Sequence, residues 1–258
     1  MPILVGACVG SFLNVCIYRL PAGKSIVSPG SHCMSCGKFL PWFLNIPVVS
    51  WIALRGRCMC KFVKLDVRYL IVEILTAIVF VTLWHLYAPA QAIVYAVFAS
   101  GLIVATFVDI DHFIIPDEVS IGGCVAGMIF SFAFPVLQGV ESHWGALRSS
   151  VWGWFIGGGM LLAIAIGGAI ILRKEAMGMG DIKLMAAFGA FLGWEAPIFI
   201  IAVSSVMGSV YGITLLLLKG KMFGVPMPFG PFLCLAALIW IYGGNQWMDA
   251  YLQGAGLR

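Results

Sequence analysis

Long apolar stretches, separated by short polar segments, run along most of the chain. Eight of them come close to or reach the roughly 17–25 residues that a helix needs to cross a bilayer. They lie near residues 2–18, 69–87, 90–108, 118–137, 151–172, 184–200, 201–217 and 226–243. The apolar runs are continuous and do not alternate with polar residues, which excludes an outer-membrane barrel. The pattern predicts an all-α, polytopic membrane protein with about eight transmembrane helices.

The boundary between the sixth and seventh spans is the least distinct. Both lie in one apolar tract of 34 residues, 184–217, interrupted only weakly by Gly193, Glu195 and Pro197. Seven spans, or a re-entrant hairpin in this tract, are therefore alternatives. At the other end of the chain, the first apolar stretch lacks a basic segment before it and a small-residue cleavage site after it, so we expect a retained span and not a signal peptide.

Composition and charge agree with a membrane protein and orient it. The chain is 62% hydrophobic and 10% charged, whereas soluble domains average about 45–50% and about 25%. With eight alternating spans, 13 of the 15 basic residues fall on one face, and only Arg148 and Arg258 fall on the other. Basic residues gather on the cytoplasmic side of short loops, so that face is predicted to be cytoplasmic. The net charge of +4 thus reflects topology and indicates no nucleic-acid partner.

Three segments follow from this topology: a first transmembrane helix at 1–18, a cytoplasmic domain at 19–68 and a membrane-embedded part at 69–258. The cytoplasmic domain holds four cysteines with C-x-x-C and C-x-C spacing: Cys33, Cys36, Cys58 and Cys60. Cytosolic thiols stay reduced, so the cluster favours a metal over a disulfide. Four thiolates suit tetrahedral zinc, which would help so small a domain to fold. Alternatively, Cys60 is a bystander and the segment is held only by packing on the membrane.

Acidic residues at the borders of the spans are the main candidates for chemistry, because carboxylates are costly there. Asp109 and Asp111 lie at the cytoplasmic end of the third span, and Asp181 follows Gly178 and Gly180 at the cytoplasmic start of the sixth. The predicted topology brings both clusters to one depth on one face. Two neighbouring carboxyl groups share a proton, so one can act as a general base on water and the other as a general acid. This is the arrangement of an aspartic protease.

Other uses of these carboxylates stay open at this point. Asp117 follows Pro116 at the start of the fourth span, where it is expected to cap a helix. Asp181 could cap the sixth span in the same way, and Asp111 could be catalytic or only solvated. A transporter that uses Asp109 and Asp181 as ion or proton sites is a further alternative, although transporter sites usually lie nearer the bilayer midplane.

An ordered set of short motifs resembles the bacterial type IV prepilin peptidases. The resemblance covers about residues 6–240 without large gaps. In the first part it consists of Gly10-Ser-Phe-Leu-Asn14-Val, Tyr18-Arg-Leu-Pro21, Cys33-x-x-Cys36-Gly37, Asn45-Ile-Pro47-Val48 and Arg55-Gly-Arg-Cys58. In the second part, Asp109 to Asp117 resembles the first aspartate motif of the family, and Gly178-Met-Gly180-Asp181-Ile-Lys183-Leu resembles its GxGD motif. Pro228-Phe-Gly230-Pro-Phe232 continues the match.

The resemblance implies an inner-membrane aspartic endopeptidase that removes the short basic leader from type IV prepilins or type II pseudopilins at the cytoplasmic face. By position, Asp109 and Asp181 would be the catalytic pair. The residues expected to support them are Gly178, Gly180, Asp111 and Lys183. The resemblance also implies methylation of the new amino terminus with S-adenosylmethionine, a role associated with segment 19–68, and zinc bound by the four cysteines. Since this chain has C-x-C where the family usually has a second C-x-x-C, a peptidase without methyltransferase activity is an alternative.

Overall fold

The computed structural model describes residues 1–28, 30, 47–54, 56–57, 66–173, 177–219 and 227–254. Within these ranges the regular structure is helical, which confirms the predicted all-α class. The helices are α1 (Pro2–Arg19), α2 (Val49–Ala53), α3 (Val67–Leu86), α4 (Pro89–His112), α5 (Asp117–Ala133), α6 (His143–Leu172), α7 (Met179–Leu192), α8 (Glu195–Lys219), α9 (Gly230–Ile239) and α10 (Asn245–Gly254). Short helical turns at Pro135–Gln138 and Trp240–Gly244 precede α6 and α10.

Five of the described helices are long and apolar enough to cross a membrane, namely α1, α3, α4, α6 and α8. The predicted fourth, sixth and eighth spans fall on shorter helices, α5, α7 and α9. The predicted division of the 184–217 tract at residue 200 is wrong, because α7 ends at Leu192 and α8 runs unbroken from Glu195 to Lys219. The break lies at Gly193, whose φ of 85° is in the left-handed region that favours glycine. Pro197 is tolerated because it sits in the first turn of α8.

The chain forms two compact units, Met1–Val104 and Ala105–Arg258. In the first unit, α1 packs closely on α3 through glycines. A Cβ atom on Gly6 would lie 2.7 Å from the Ala77 Cα, and one on Gly10 would lie 2.7 Å from the Glu73 Cα. Small residues of this kind let two helix backbones approach in a membrane, where packing takes the place of the hydrophobic effect. The two glycines therefore set the spacing of α1 and α3.

Polar side chains hold the same pair of helices together near one end. The Asn14 side-chain amide donates a hydrogen bond to the Tyr69 carbonyl at 3.1 Å. The Val48 amide, just before α2, donates to the Glu73 carboxylate at 2.7 Å. Glu73 is only 7% exposed, and a buried acid of this kind needs such a partner. The hydrogen bond from Val48 to Glu73 thus links the start of α2 to α3.

In the second unit, α7 is the central helix. Every residue from Leu184 to Leu192 is buried. Gly153 of α6 and Gly189 of α7 face each other so closely that a side chain on either would overlap the carbonyl of the other. The last turns of α7 are held by side chains from its neighbours, since the Ala190 carbonyl accepts hydrogen bonds from Ser150 (2.7 Å) and Ser131 (3.2 Å). Close packing and satisfied polar groups therefore fix α7, which carries the GxGD segment at its start.

Candidate active site

Asp109 lies in the last turn of α4 and is 6% exposed. Its Oδ2 atom accepts a hydrogen bond from the Gly230 amide, with 2.9 Å between nitrogen and oxygen. Gly230 is the first residue of α9, and the first amides of a helix have no partner within the helix. The carboxyl group of Asp109 supplies such a partner from another helix. The contact ties the end of α4 to the start of α9.

Asp181 lies in the first turn of α7 and is half-buried. It is outside the five membrane-spanning helices. Burial and the charge of Asp109 raise the pKa of Asp181 to about 7, and an interaction with the Gly178 amide offsets this only in part. One carboxyl group acts on another in this way only when the two are close. The structure thus brings together the two aspartates that the sequence analysis paired.

The four residues expected to support the pair lie in different surroundings. Gly178 precedes the helix and is exposed, so backbone is accessible beside Asp181. A Cβ atom on Gly180 would lie 3.1 Å from the Ile115 Cβ, so this glycine allows close packing against the segment before α5. Asp111 is exposed at the end of α4. The geometry does not place Asp111 in the carboxyl pair.

Lys183 forms an ion pair with Asp117, with 2.7 Å between Nζ and Oδ1. The pair links the second turn of α7 to the first turn of α5. The prediction that Asp117 caps α5 is wrong, because Pro116 is the cap residue and the cap has no side-chain hydrogen bond. Asp117 is instead the first helical residue, so its charge both pairs with Lys183 and lies at the favourable end of the helix. The alternative that Asp181 caps α7 is wrong for the same reason, because Gly178 is the cap residue and the cap has no side-chain hydrogen bond. Asp181 is the third helical residue.

Two residues of α9 belong to the site although the sequence analysis gave them no role. Gly230 contacts Asp109 as described, and the thiol of Cys234, one turn later, lies within electrostatic range of both Asp109 and Asp181. Cys234 is 1% exposed and bonds to the Thr106 side chain. Cys234 is thus a small buried side chain beside the two aspartates.

The predicted zinc ligands Cys33, Cys36, Cys58 and Cys60 lie outside the described residues. Within the described ranges, no group of three or more His, Cys, Asp or Glu side chains could hold a metal ion. No described residue is assigned to S-adenosylmethionine either, since most of the segment expected to bind it lies outside these ranges. The zinc site therefore stays a prediction from cysteine spacing.

Comparisons with known proteins identify the family. Two family models match the chain, the Bacterial Peptidase A24 N-terminal domain at residues 4–87 and the Type IV leader peptidase family at residues 96–213. A Stutzerimonas stutzeri protein named prepilin leader peptidase/N-methyltransferase is 31% identical over 99% of this chain and 94% of the relative. The chain belongs to the type IV leader peptidase family. Asp109 and Asp181 both fall within the peptidase match.

Other members of the family carry the same name. The Pseudomonas aeruginosa protein is 33% identical over 99% of this chain and 94% of the relative. The Myxococcus xanthus protein is 39% identical over 84% of this chain, and the match covers 63% of that relative's length. No solved structure matches the chain. Membership in this family confirms the resemblance found in the sequence and favours a peptidase over a transporter.

Proposed function

We propose that this membrane-embedded leader peptidase uses Asp109 and Asp181 as its catalytic pair, and that it cleaves type IV prepilins or type II pseudopilins at the cytoplasmic face of the inner membrane. Family membership supports the peptidase activity. The observation that supports the residue assignment is that burial of Asp181, together with the charge of the nearby Asp109 carboxyl group, raises the pKa of Asp181 to about 7. A pair that holds one proton near neutral pH has both a base and an acid available.

The cleavage needs only this pair and a water molecule. One carboxylate takes a proton from the water while the water oxygen bonds to the carbonyl carbon of the scissile peptide. The protonated partner gives its proton to the carbonyl oxygen, which forms a neutral diol. When the carbon–nitrogen bond breaks, the nitrogen takes the proton from the first carboxyl group, and one diol hydroxyl gives a proton to the second. The products are a carboxylic acid and an amine, and the pair regains its starting state.

The location of the pair suits a substrate whose apolar helix starts at the membrane surface. A prepilin leader, as the family resemblance implies, is short and basic and is followed by an apolar helix. Asp109 lies at the end of α4 and Asp181 at the start of α7, so both are at helix ends. A peptide must unwind before it is cut, and water near the surface can satisfy the freed backbone groups. Together with the clustering of basic residues, this supports cleavage at the cytoplasmic side.

Methylation of the new amino terminus is the second activity that we propose. The named relatives and the match to the Bacterial Peptidase A24 N-terminal domain, residues 4–87, support it. S-adenosylmethionine would supply the methyl group. Zinc held by the cysteines of segment 19–68 would stabilise this domain, a proposal that rests on their spacing.

The catalytic assignment is tested by amide substitutions in the purified full-length protein. Asp109→Asn and Asp181→Asn keep the shape of each side chain but remove its acid–base function, so each should abolish cleavage of a prepilin in lipid vesicles. Asp111→Asn is the matched control, since Asp111 lies two residues from Asp109 but is exposed and outside the pair. The rate at which Asp111→Asn cleaves the prepilin should stay closer to the wild-type rate than the rates of the two pair variants. Unchanged cleavage in both pair variants would refute the assignment.

The second activity has its own measurements. Labelled S-adenosylmethionine, supplied with cleaved pilin, should label the new amino terminus, and absence of label would favour a peptidase without methyltransferase activity. Metal analysis should find zinc, and joint substitution of Cys33 and Cys36 should remove it. Protein that carries no zinc before substitution would contradict the metal site.

A further inference from the structure

The contact between Gly230 and Asp109 joins two helices that are 121 residues apart along the chain. The amide of Gly230 is free for this contact, because the first amides of a helix have no partner within the helix. Next along α9, Pro231 has no N–H group, and the Phe232 amide donates a hydrogen bond to the Phe229 carbonyl at 3.1 Å. The 2.9 Å bond to Asp109 therefore satisfies a first-turn donor of α9 that its own helix leaves free. It also occupies one of the two carboxyl oxygens of Asp109. Among the described residues, none donates a hydrogen bond to the other oxygen, which leaves it for water and substrate.

A side chain at position 230 would destroy this contact. An ideal Cβ atom on Gly230 would lie 2.7 Å from the Oδ2 atom of Asp109 and 3.2 Å from its Cγ atom. Real Cβ atoms essentially never approach another atom closer than 3.0 Å, so the carboxyl group would have to move. Asp109 is buried against α9 and has little room to do so. Glycine is needed here for space and not for its backbone conformation.

The contact also acts on the charge of Asp109. An amide that donates to a carboxylate favours its charged form, and the partial positive charge at the start of α9 acts in the same direction. Burial of Asp109, which is 6% exposed, disfavours that charge. The Gly230 amide therefore offsets part of the cost of a buried charge on Asp109.

We propose that Gly230 is a positioning residue of the catalytic pair, whose amide holds the carboxyl group of Asp109 in place and stabilises its charged form. In the cleavage described above, this contact fixes one oxygen of Asp109 while the carboxyl group exchanges a proton with water or substrate. The inference rests on the proposed function of the pair. It adds a residue, distant in sequence, on which the position of Asp109 depends.

Gly230→Ala tests the positioning role, with Gly208→Ala as the matched control. A Cβ atom on Gly208, in α8, would lie 3.7 Å from the Phe229 ring, an ordinary contact next to the same segment. Gly230→Ala should lower kcat for prepilin cleavage by about 10- to 100-fold, the range expected for a disturbed hydrogen bond to a charged group. KM should change little, because the substrate does not contact this oxygen. The acidic limb of the rate–pH profile should move to higher pH, since Asp109 ionises less readily.

Gly208→Ala should retain the wild-type kcat and pH profile. Wild-type kcat and an unmoved acidic limb in Gly230→Ala would overturn the positioning role. A merely structural effect would lower the melting temperature and the amount of active enzyme but would leave the limb in place, and that result would count against the inference as well.

Infrared difference spectroscopy tests the contact without relying on cleavage. The carboxyl bands that Asp109→Asn removes should shift in Gly230→Ala and stay in place in Gly208→Ala, because only the first glycine substitution disturbs the hydrogen bond to Asp109. Unshifted bands in Gly230→Ala would overturn the inference. If the bands shift as expected while the wild type cleaves no prepilin, the proposed function is wrong and the positioning contact stands.

Discussion

Three glycines on α6 provide a graded test of how closely this helix must pack on α7. A side chain on Gly153 would overlap the carbonyl of Gly189, and a Cβ atom on Gly157 would lie 2.5 Å from the carbonyl oxygen of Met185. A Cβ atom on Gly159 would meet nothing within 4 Å. Alanine substitutions should therefore differ in stability in that order, with Gly153→Ala the least stable.

The sizes of these effects follow from the distances. Since real Cβ contacts essentially never fall below 3.0 Å, Gly157→Ala requires a shift of about half an ångström between two helix backbones. Overpacking of this kind costs about 1–3 kcal/mol. Gly153→Ala needs a larger shift and should lie at or beyond the upper end of about 3 kcal/mol. Gly159→Ala should instead gain about 0.5–1 kcal/mol, because alanine favours the helix more than glycine does.

The measurement is reversible unfolding in mixed detergent micelles, combined with prepilin cleavage. Asp181 lies on α7, so a displaced α7 also displaces one of the two carboxyl groups. Cleavage should fall together with stability in Gly157→Ala and Gly153→Ala and should stay at the wild-type level in Gly159→Ala. Equal free energies of unfolding for the three variants would show that α6 and α7 are not packed as described.

Three further predictions concern charge. The pKa of Asp181 is raised from 3.8 to about 7, so between these pH values the folded chain binds more protons than the unfolded chain. Its stability should therefore fall as the pH rises from about 4 to about 7. Melting temperatures measured against pH should show this decline in the wild type and not in Asp181→Asn. Glu73→Ala leaves the Val48 amide without its acceptor and should cost about 1–3 kcal/mol, whereas Glu73→Gln keeps an oxygen there and should cost less, as thermal melting can show. Asp117→Asn and Lys183→Met should each cost at most about 1 kcal/mol, because the ion pair is exposed, and a double-mutant cycle with a larger coupling would contradict this.

Hydropathy located most of the helices correctly, because in a membrane the apolar length of a segment largely decides its structure. The predicted spans 2–18 and 69–87 correspond to Pro2–Arg19 and Val67–Leu86. Asp66 accepts a hydrogen bond from the Arg68 amide and so marks the start of the second of these. The failure in the 184–217 tract has a physical reason, since Gly193 ends α7 through its backbone conformation, which hydropathy does not record.

Residues of the candidate site could be predicted from the sequence only where their chemistry is unusual for the segment that contains them. Asp109 and Asp181 are acids beside apolar segments, so their presence calls for a function. Gly230 breaks no local rule, because its importance comes from an oxygen that lies 121 residues away in sequence. The partner of Lys183 was missed for the same reason, since Asp117 belongs to another helix. Contacts between distant segments become visible only in the folded chain.

The shortness of α7 explains how an acidic residue can start a helix whose remaining length is buried. Its 14 residues extend about 21 Å, less than the roughly 30 Å hydrocarbon core. A helix that ends in lipid leaves carbonyl groups unsatisfied, which is costly. In α7 the Ala190 carbonyl instead accepts hydrogen bonds from Ser150 and Ser131. Because side chains of the protein bond to the carbonyl at the C-terminal end of α7, this helix does not have to reach the opposite surface of the bilayer. Asp181, in its first turn, can therefore stay next to Asp109.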